Sequence, residues 1–268
     1  MDMIDYCYHT HSYRCGHGVG TEEEYVQSAI KEGFKVIGFT EHIFLPGIEQ
    51  PGIRGSYKEL DDYIDTVNSL KTKYKDQIEI HLGFECEYAS VFEDYYRYLL
   101  KEKGVEYLIL GQHLFFNEDK TFTWLMAGDD PDASLTRYVD EIIKGIKTGL
   151  FTYLAHPDLF IRMYSKVTPH VEKEIRRLCE ACVEYDIPQE INLGGVRAKQ
   201  YCKPGKINYA SEEYFRIASN YPLKIIIGVD VHDPNDFKDG VSDYDFAANL
   251  IQKYHLDHIT RLNFKKID

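Results

Sequence analysis

The sequence predicts an α/β fold, a parallel (β/α) barrel whose strands end around one shared pocket. Seven short apolar runs alternate with seven amphipathic stretches of helical period. Histidines and acids recur at the carboxyl end of these runs, and the carboxyl ends of parallel strands meet at one face of such folds. An open doubly wound sheet is the alternative. A closed or nearly closed barrel explains the pattern better, because only closure points every strand end at one centre.

The predicted elements follow one another as βα units along the whole chain. The strands are expected near residues 2–8, 35–40, 78–85, 106–111, 152–155, 188–193 and 225–229. The helices are expected near residues 21–32, 57–74, 90–103, 131–148, 169–186, 210–220 and 240–253. Thr21 and Glu24 form a capping-box pattern at the first helix, and Ser211 caps a later one. The loops at 42–57 and 115–130 are long, which is typical of loops that cover an active site.

Length and composition limit the class of protein. A chain of 268 residues with 44% hydrophobic and 14% aromatic residues predicts a single folded domain spanning residues 1–268. Its apolar runs are too short to cross a membrane, and no secretory signal precedes the first strand, so we expect a cytoplasmic protein without a membrane partner. The net charge of −13 disfavours a nucleic-acid partner.

The six cysteines are irregularly spaced, which predicts free thiols rather than disulfides. Cys179 and Cys182 match a C-x-x-C pattern. They lie, however, in a stretch of helical period without a second cysteine pair, so we interpret them as buried helical thiols and not as a metal site.

The histidines and acids at the strand ends predict a metal centre. His9 and His11 form a period-two pair, as do Asp230 and His232, and side chains two apart on extended backbone face the same side. A lone histidine is usually a core or surface residue, but the repeated placement favours ligation, and imidazole and carboxylate suit first-row divalent metals. The set exceeds the ligands of one zinc site and so predicts two or three metals. Its members are His9, His11, His17, His42, Glu85, His113, His156, Asp230 and His232.

The sequence does not assign one role to either of two acids next to these residues. Glu87 follows Glu85 at period two and is the rival for its place, although we favour Glu85. Glu41 adjoins His42, where a carboxylate that orients a ligand and a purely structural one are equally compatible with the sequence.

The motifs, taken in order, resemble those of the polymerase and histidinol phosphatase (PHP) family. They are His9-Thr10-His11-Ser12, Cys15-Gly16-His17-Gly18, Thr40-Glu41-His42, Gly83-Phe84-Glu85, Gly111-Gln112-His113, Ala155-His156-Pro157 and Gly228-Val229-Asp230-Val231-His232. The resemblance spans residues 5–235 and extends, within the family, to the branch of histidinol-phosphate phosphatases, through segments such as Asn192-Leu193-Gly194-Gly195-Val196-Arg197.

The resemblance implies a distorted (β/α)7 barrel of the PHP type, with three divalent metal ions (Zn, Mn or Fe) at the carboxyl ends of the strands. The first metal is expected on His9, His11, Glu85 and Asp230; Glu85 bridges to a second on His113 and His156; and His17, His42 and His232 hold the third. Asp230, His232 and a metal-bound water molecule are the candidates to supply the proton that the leaving group needs, and the sequence does not choose among them.

The implied function is hydrolysis of L-histidinol phosphate to L-histidinol and phosphate in histidine biosynthesis, by attack of a metal-activated hydroxide. Another PHP phosphoesterase, with a nucleotide, oligonucleotide or phosphotyrosine substrate, is the first alternative. A metal-storing or sensing protein is the alternative of a different class. Structural zinc sites are usually rich in cysteine, whereas the predicted ligand set contains none.

A phosphate ester also needs donors that match its oxygens, and the planar guanidinium is suited to them. Arg162 follows His156 by six residues and Arg197 follows Asn192 by five, so both lie in predicted loops at strand ends. We therefore predict that Arg162 and Arg197 bind the substrate phosphate. Four other histidines are assigned no function: His81, His170, His255 and His258.

Overall fold

The computed structural model describes residues 4–238, 241–264 and 267. The strands are β1 (Tyr6–Cys7), β2 (Val36–His42), β3 (Glu79–Cys86), β4 (Tyr107–Leu110), β5 (Leu114–Phe116), β6 (Phe122–Trp124), β7 (Tyr153–Leu154), β8 (Gln189–Asn192), β9 (Lys224–Gly228) and β10 (Asp257–His258). The α-helices are α1 (Glu22–Lys31), α2 (Leu60–Tyr74), α3 (Glu93–Glu102), α4 (Pro131–Lys147), α5 (Pro169–Glu184), α6 (Leu193–Arg197), α7 (Glu212–Ala218) and α8 (Val241–Tyr254).

Eight parallel strands form the main sheet, in the order β1-β2-β3-β4-β7-β8-β9-β10. The spatial order follows the chain because a parallel neighbour is reached through a crossover, and each crossover here contains an α-helix. The two remaining strands, β5 and β6, form a separate antiparallel hairpin. This hairpin lies directly after β4, at the end of the barrel where the strands finish.

The sheet curls until its two sides meet. At the carboxyl end, an isolated parallel bridge joins Thr10 to Val231, and the His11 amide donates to the Val231 carbonyl at 2.8 Å. At the amino end, β10 pairs with β9, while the Tyr6 hydroxyl lies 2.8 Å from Nε2 of His258. The predicted class is confirmed: the fold is a distorted barrel of mostly parallel strands surrounded by helices.

The predicted elements are found, together with four further strands and α-helices that were not predicted. Residues 2 and 3 of the first predicted strand and residue 240 of the last predicted helix lie outside the described residues. The unpredicted elements are the strands β5 and β6 of the hairpin, the short helix α6 and the eighth parallel strand β10. Each is five residues long or shorter, so hydrophobic periodicity gives no signal for it.

Two other expectations concern the helices. Cys179 and Cys182 are buried in α5 with free thiols, as predicted. Within the described part of the chain, no helix combines the length and the apolar character that crossing a bilayer requires.

Close packing inside the barrel depends on Tyr107. Its ring is buried, and its hydroxyl donates to the carbonyl of Tyr8 at 2.9 Å, which links β4 to the first strand across the interior. Gly38 on β2 provides the space for this hydroxyl, since a Cβ there would lie 2.0 Å from the oxygen. The lack of a side chain at Gly38 therefore allows the cross-barrel hydrogen bond.

Replacing Gly38 with alanine should destabilise the protein, because overpacking a core costs about 1–3 kcal/mol. Tyr107→Phe removes the hydroxyl that would clash, so the cost of Gly38→Ala should be smaller in the double variant than in the wild type. Urea unfolding of the wild type, the two single variants and the double variant gives the cost of Gly38→Ala in both backgrounds. Equal costs in the two backgrounds would contradict this packing.

Candidate metal centre

The nine predicted ligands all lie at the carboxyl end of the barrel. His9, His11, His113, His156, Asp230 and His232 directly follow strands, His42 ends β2, Glu85 lies near the end of β3, and His17 follows a short 3-10 turn. Seven of them line one pocket: His17, His42, Glu85, His113, His156, Asp230 and His232. His9 and His11 lie beneath, fully buried. Strand-end position thus brings the predicted residues into one place.

The carboxylate of Glu85 lies at the centre of this group. Five imidazoles from four different strand ends surround its two oxygens. Gly111 makes room for the carboxylate, since a Cβ there would lie 2.0 Å from Oε1. Oε2 is 3.0 Å from Nδ1 of His42, 3.4 Å from Nε2 of His11 and 3.6 Å from Nε2 of His9, and Oε1 is 2.7 Å from Nε2 of His156 and 3.5 Å from Nε2 of His113.

Four donor atoms beneath the pocket lie close enough to suit one cation. Nε2 of His9 and Nε2 of His11 each lie 3.4–3.6 Å from Oε2 of Glu85 and from Oδ1 of Asp230. Tetrahedral zinc with bonds of about 2.0–2.1 Å requires ligand atoms about 3.3–3.4 Å apart. Both histidine nitrogens and the Asp230 oxygen are buried without a hydrogen-bond partner, which is costly unless another group satisfies them. The donor set therefore fits a divalent metal ion.

His17 and His232 present a second arrangement that calls for a cation. Their Nε2 atoms lie 3.1 Å apart. Nδ1 of His17 lies 3.1 Å from the Gly52 carbonyl, and Nδ1 of His232 lies 3.2 Å from the Asp230 carbonyl. Because a carbonyl only accepts, these contacts put the ring protons on Nδ1, and the two Nε2 lone pairs then face each other. A proton or a metal ion between them removes this repulsion.

His232 shares a triad with each of the other two members of the predicted third set, His17 and His42. In the described residues, triads with ligand atoms within 4.8 Å of one another include His11, His42 and His232, and also Cys15, His17 and His232. The rings of His42 and His232 are 6.4 Å apart at their centroids. His232 thus lies between two groups, and the thiol of Cys15, to which the sequence analysis gave no role, lies beside one of them.

Several of these histidines are held by an acceptor on the far side of the ring. Nδ1 of His9 lies 2.8 Å from Oε1 of Glu190, and Nδ1 of His113 lies 3.1 Å from Oε1 of Glu87. Such contacts fix the tautomer and aim Nε2 at the metal in known metal sites. Glu87 also pairs with Arg54 at 3.0 Å. On this geometry Glu87 supports His113 from behind, whereas Glu85 lies among the imidazoles.

His11 and His42 are neutral imidazoles beside ionised carboxylates, whereas neighbouring carboxylates, acting against burial, raise the pKa of His9 and of His113. Burial, reinforced by neighbouring imidazoles, lowers the pKa of His11 well below its usual range, and burial lowers the pKa of His42 to about 4. Burial alone would raise the pKa of Glu85, but the surrounding histidines hold it well below its usual range. Neutral imidazole and ionised carboxylate are the forms that bind metals.

Glu41 has a different environment from the other acids. Burial raises its pKa to about 8, and its Oε1 accepts a hydrogen bond from the Ser12 amide at 2.5 Å. Glu41 therefore holds the backbone that follows His11.

Neither predicted phosphate-binding arginine is among the residues that line the pocket. Arg197 donates from Nη2 to the Asp230 carbonyl at 2.9 Å, and its Nη1 lies 3.3 Å from Asp243. Arg162 lines an adjacent cleft, with its guanidinium carbon 5.8 Å from the centroid of the Tyr209 ring. In this structure Arg197 holds the backbone of Asp230, and the phosphate role of both arginines stays a prediction.

Two kinds of residue at the site were not predicted from the sequence. Glu190 and Asn192 are fully buried on β8 and contact predicted ligands. Two polar residues at period two in an otherwise buried strand were the signal for them. The second kind is the aromatic wall of the pocket, formed by Trp124, Tyr201 and Tyr209. These side chains come from the β5–β6 hairpin, from a 3-10 turn and from a loop, where sequence pattern does not show which way a ring points.

Comparison with known proteins places this centre in a family. The PHP domain model matches residues 8–194 of the chain. The chain belongs to the PHP domain family. A curated relative of this PHP protein, the histidinol-phosphatase of Bacillus subtilis (strain 168), is 27% identical over 256 residues, which cover 85% of this chain and 93% of the relative.

Two solved structures share the fold of this PHP protein. The crystal structure of histidinol phosphate phosphatase from Lactococcus lactis, complexed with zinc, L-histidinol and phosphate, matches with a TM-score of 0.72 and 18% identity over 97% of this chain and 99% of that one. A Listeria monocytogenes protein assigned as a histidinol phosphatase matches with a TM-score of 0.74 and 21% identity over 89% of this chain and 99% of that one. At these identities the likeness concerns the fold.

Removing a side chain from the group formed by His9, His11, Glu85 and Asp230 should remove metal. His9→Ala and Asp230→Ala should each contain fewer metal ions per chain than the wild type, because each deletes one of four converging donors. His255→Ala is the matched control, since that exposed histidine lies beyond α8, away from the pocket. Elemental analysis of the purified, zinc-dialysed proteins gives the counts. Equal metal contents in the wild type and all variants would contradict the assignment of His9 and Asp230 as metal ligands.

Proposed function

We propose that this PHP protein is a metal-dependent phosphomonoesterase that hydrolyses L-histidinol phosphate to L-histidinol and phosphate, as a step of histidine biosynthesis. The observation that carries the proposal is the Glu85 carboxylate, with five imidazoles around its two oxygens. We infer the identity of the substrate from the names of the Bacillus and Lactococcus proteins. The expected location, the cytoplasm, stays a prediction.

Three divalent ions of zinc, manganese or iron are proposed for the pocket, on the donor sets expected from the sequence. His9, His11, Glu85 and Asp230 would hold the first, Glu85, His113 and His156 the second, and His17, His42 and His232 the third, with His11 and Cys15 close to the last set. When bound, such ions activate a water molecule for attack on phosphorus and neutralise the phosphoryl oxygens. The protein then needs no covalent nucleophile.

The chain's own residues orient the reaction. Asp230 and His232 are proposed to supply the proton that the leaving alkoxide takes up, since both line the pocket. Nδ1 of His232 is engaged by the Asp230 carbonyl at 3.2 Å, so the transferred proton would be carried on Nε2, which lies 3.1 Å from Nε2 of His17. Arg162 and Arg197 are kept as proposed phosphate contacts. The bond from Arg197 to the Asp230 carbonyl gives Arg197 a further role in positioning Asp230.

The pocket wall suits the remote end of histidinol phosphate. Trp124, Tyr201 and Tyr209 line it together with the apolar side chains of Ile53 and Leu159. Aromatic faces stack on an imidazole and attract an ammonium group. Binding energy from this remote part of the substrate can be used at the reacting phosphoryl group. We therefore propose a small-molecule phosphate ester with a cationic or aromatic end as the substrate.

Steady-state kinetics tests the proposal. The zinc-loaded protein should hydrolyse L-histidinol phosphate with a kcat/KM about 100-fold above that for glycerol 2-phosphate, which corresponds to about 2.7 kcal/mol of transition-state binding. Both esters release an alkoxide, so leaving-group chemistry is matched. Protein made metal-free with a chelator should be inactive, and addition of Zn²⁺, Mn²⁺ or Fe²⁺ should restore the phosphatase activity.

Two outcomes would contradict parts of this proposal. Equal kcat/KM for both esters would remove histidinol phosphate as the substrate and leave a broad phosphoesterase. Hydrolysis by protein shown to be metal-free would instead remove the metal-dependent mechanism.

A further inference from the structure

Strand β8 carries no predicted metal ligand, although the ends of β7 and β9 on either side of it do. It carries Glu190 and Asn192 instead, both completely buried. Since side chains two apart on a strand face the same side, this carboxylate and this amide lie side by side. Nδ2 of Asn192 is 2.7 Å from Oε2 of Glu190. The strand thus directs a fixed polar pair at the metal centre.

Three donors converge on the Glu190 carboxylate. Oε1 lies 2.8 Å from Nδ1 of His9, and Oε2 accepts from the backbone amide of His156 at 2.9 Å and from Asn192. The Asn192 amide also donates to Oδ2 of Asp230 at 3.2 Å. Glu190 therefore contacts two proposed ligands directly and a third through Asn192.

We propose that Glu190 is a positioning residue of the metal centre, a role that rests on the proposed function. It holds the proton of His9 on Nδ1, which leaves Nε2 free to face Glu85 and Asp230, each 3.6 Å away. It also anchors the backbone of His156, whose φ is +27°, a conformation that side chains disfavour. One carboxylate on β8 thereby couples ligands that follow β1, β7 and β9.

Two glycines in the surrounding backbone leave space for the carboxylates of Glu190 and Asp230. A Cβ on Gly228 would lie 1.6 Å from Oε1 of Glu190, and a Cβ on Gly194 would lie 2.6 Å from Oδ2 of Asp230. Gly228 belongs to β9, the neighbour of β8 in the sheet. The absence of a side chain at Gly228 is thus what allows Glu190 to reach His9.

Glu190→Gln is the variant that tests the role, because all three partners of the carboxylate are donors. An amide offers one acceptor and one donor group, so in either orientation at least one partner meets a second donor. Loss of such an orienting carboxylate typically costs about 10–100-fold in metal affinity. We expect zinc affinity to fall by that factor, measured by competition with a chromophoric chelator.

The controls separate positioning from a merely structural role. Glu174→Gln alters another fully buried carboxylate, on α5, which pairs with Arg177 instead of a predicted ligand. The zinc affinity of the Glu174→Gln protein should equal that of the wild type. Glu190→Asp keeps the charge and should retain more affinity than Glu190→Gln. Gly228→Ala displaces the carboxylate without changing it and should weaken zinc binding as well.

A spectroscopic signature gives a second readout. In the zinc-loaded wild type, the Nδ1 proton of His9 should appear in ¹H–¹⁵N spectra as a downfield, exchange-protected resonance, because it is bound to a carboxylate. The resonance should move upfield or vanish in Glu190→Gln. A shift in Tm with unchanged zinc affinity and unchanged resonance would overturn the proposal and leave Glu190 a structural residue.

The two proposals fail in distinguishable ways. If the wild type itself binds no zinc, the proposed function is wrong. If the wild type binds zinc and Glu190→Gln binds it equally well, only the positioning role of Glu190 is wrong.

Discussion

The architecture depends on burying one carboxylate, Glu85, among five imidazoles. Removing an ionised carboxylate from water costs several kcal/mol unless partners compensate for the lost hydration. Here the partners come from the ends of β1, β2, β4 and β7. Only a curled parallel sheet brings so many strand ends to one side chain, so the barrel and the polar centre require each other.

The centre is also held against backbone strain. His156 and Asp230 have positive φ values of +27° and +54°, and such residues cost of the order of 1–3 kcal/mol each. The backbone of each is held by a hydrogen bond to a charged side chain: the carboxylate of Glu190 accepts from the His156 amide, and Arg197 donates to the Asp230 carbonyl. The strain therefore lies at two proposed ligands, where it aims side chains into the pocket.

Much of this site could be predicted because its ligands carry a local signal. A histidine directly after an apolar run is visible in the sequence, and parallel topology then fixes where it lies. The distinction between Glu85 and Glu87 was not settled by sequence, because period two gives both the same face. The structure separates them through their partners, since Glu87 pairs with Arg54 and with Nδ1 of His113.

Features that depend on contacts between distant segments escaped prediction. Arg197 is placed by the carbonyl of Asp230, 33 residues away in sequence, and strand β10 is only two residues long. Glu190 lies 181 residues from His9. No local pattern encodes these pairings, and they arise only when the barrel closes. The grouping of His232 with His11 and His42, or with Cys15 and His17, is of the same kind.

Anomalous X-ray diffraction from zinc-loaded crystals, recorded on both sides of the zinc absorption edge, tests the central claim most directly. We expect separate anomalous peaks next to the two oxygens of Glu85, each about 2.0–2.2 Å from its oxygen. One peak should lie among His9, His11 and Asp230, and another beside His113 and His156. Zinc peaks that do not contact Glu85, or a pocket without an anomalous peak, would contradict the role of this carboxylate as a bridge between metals.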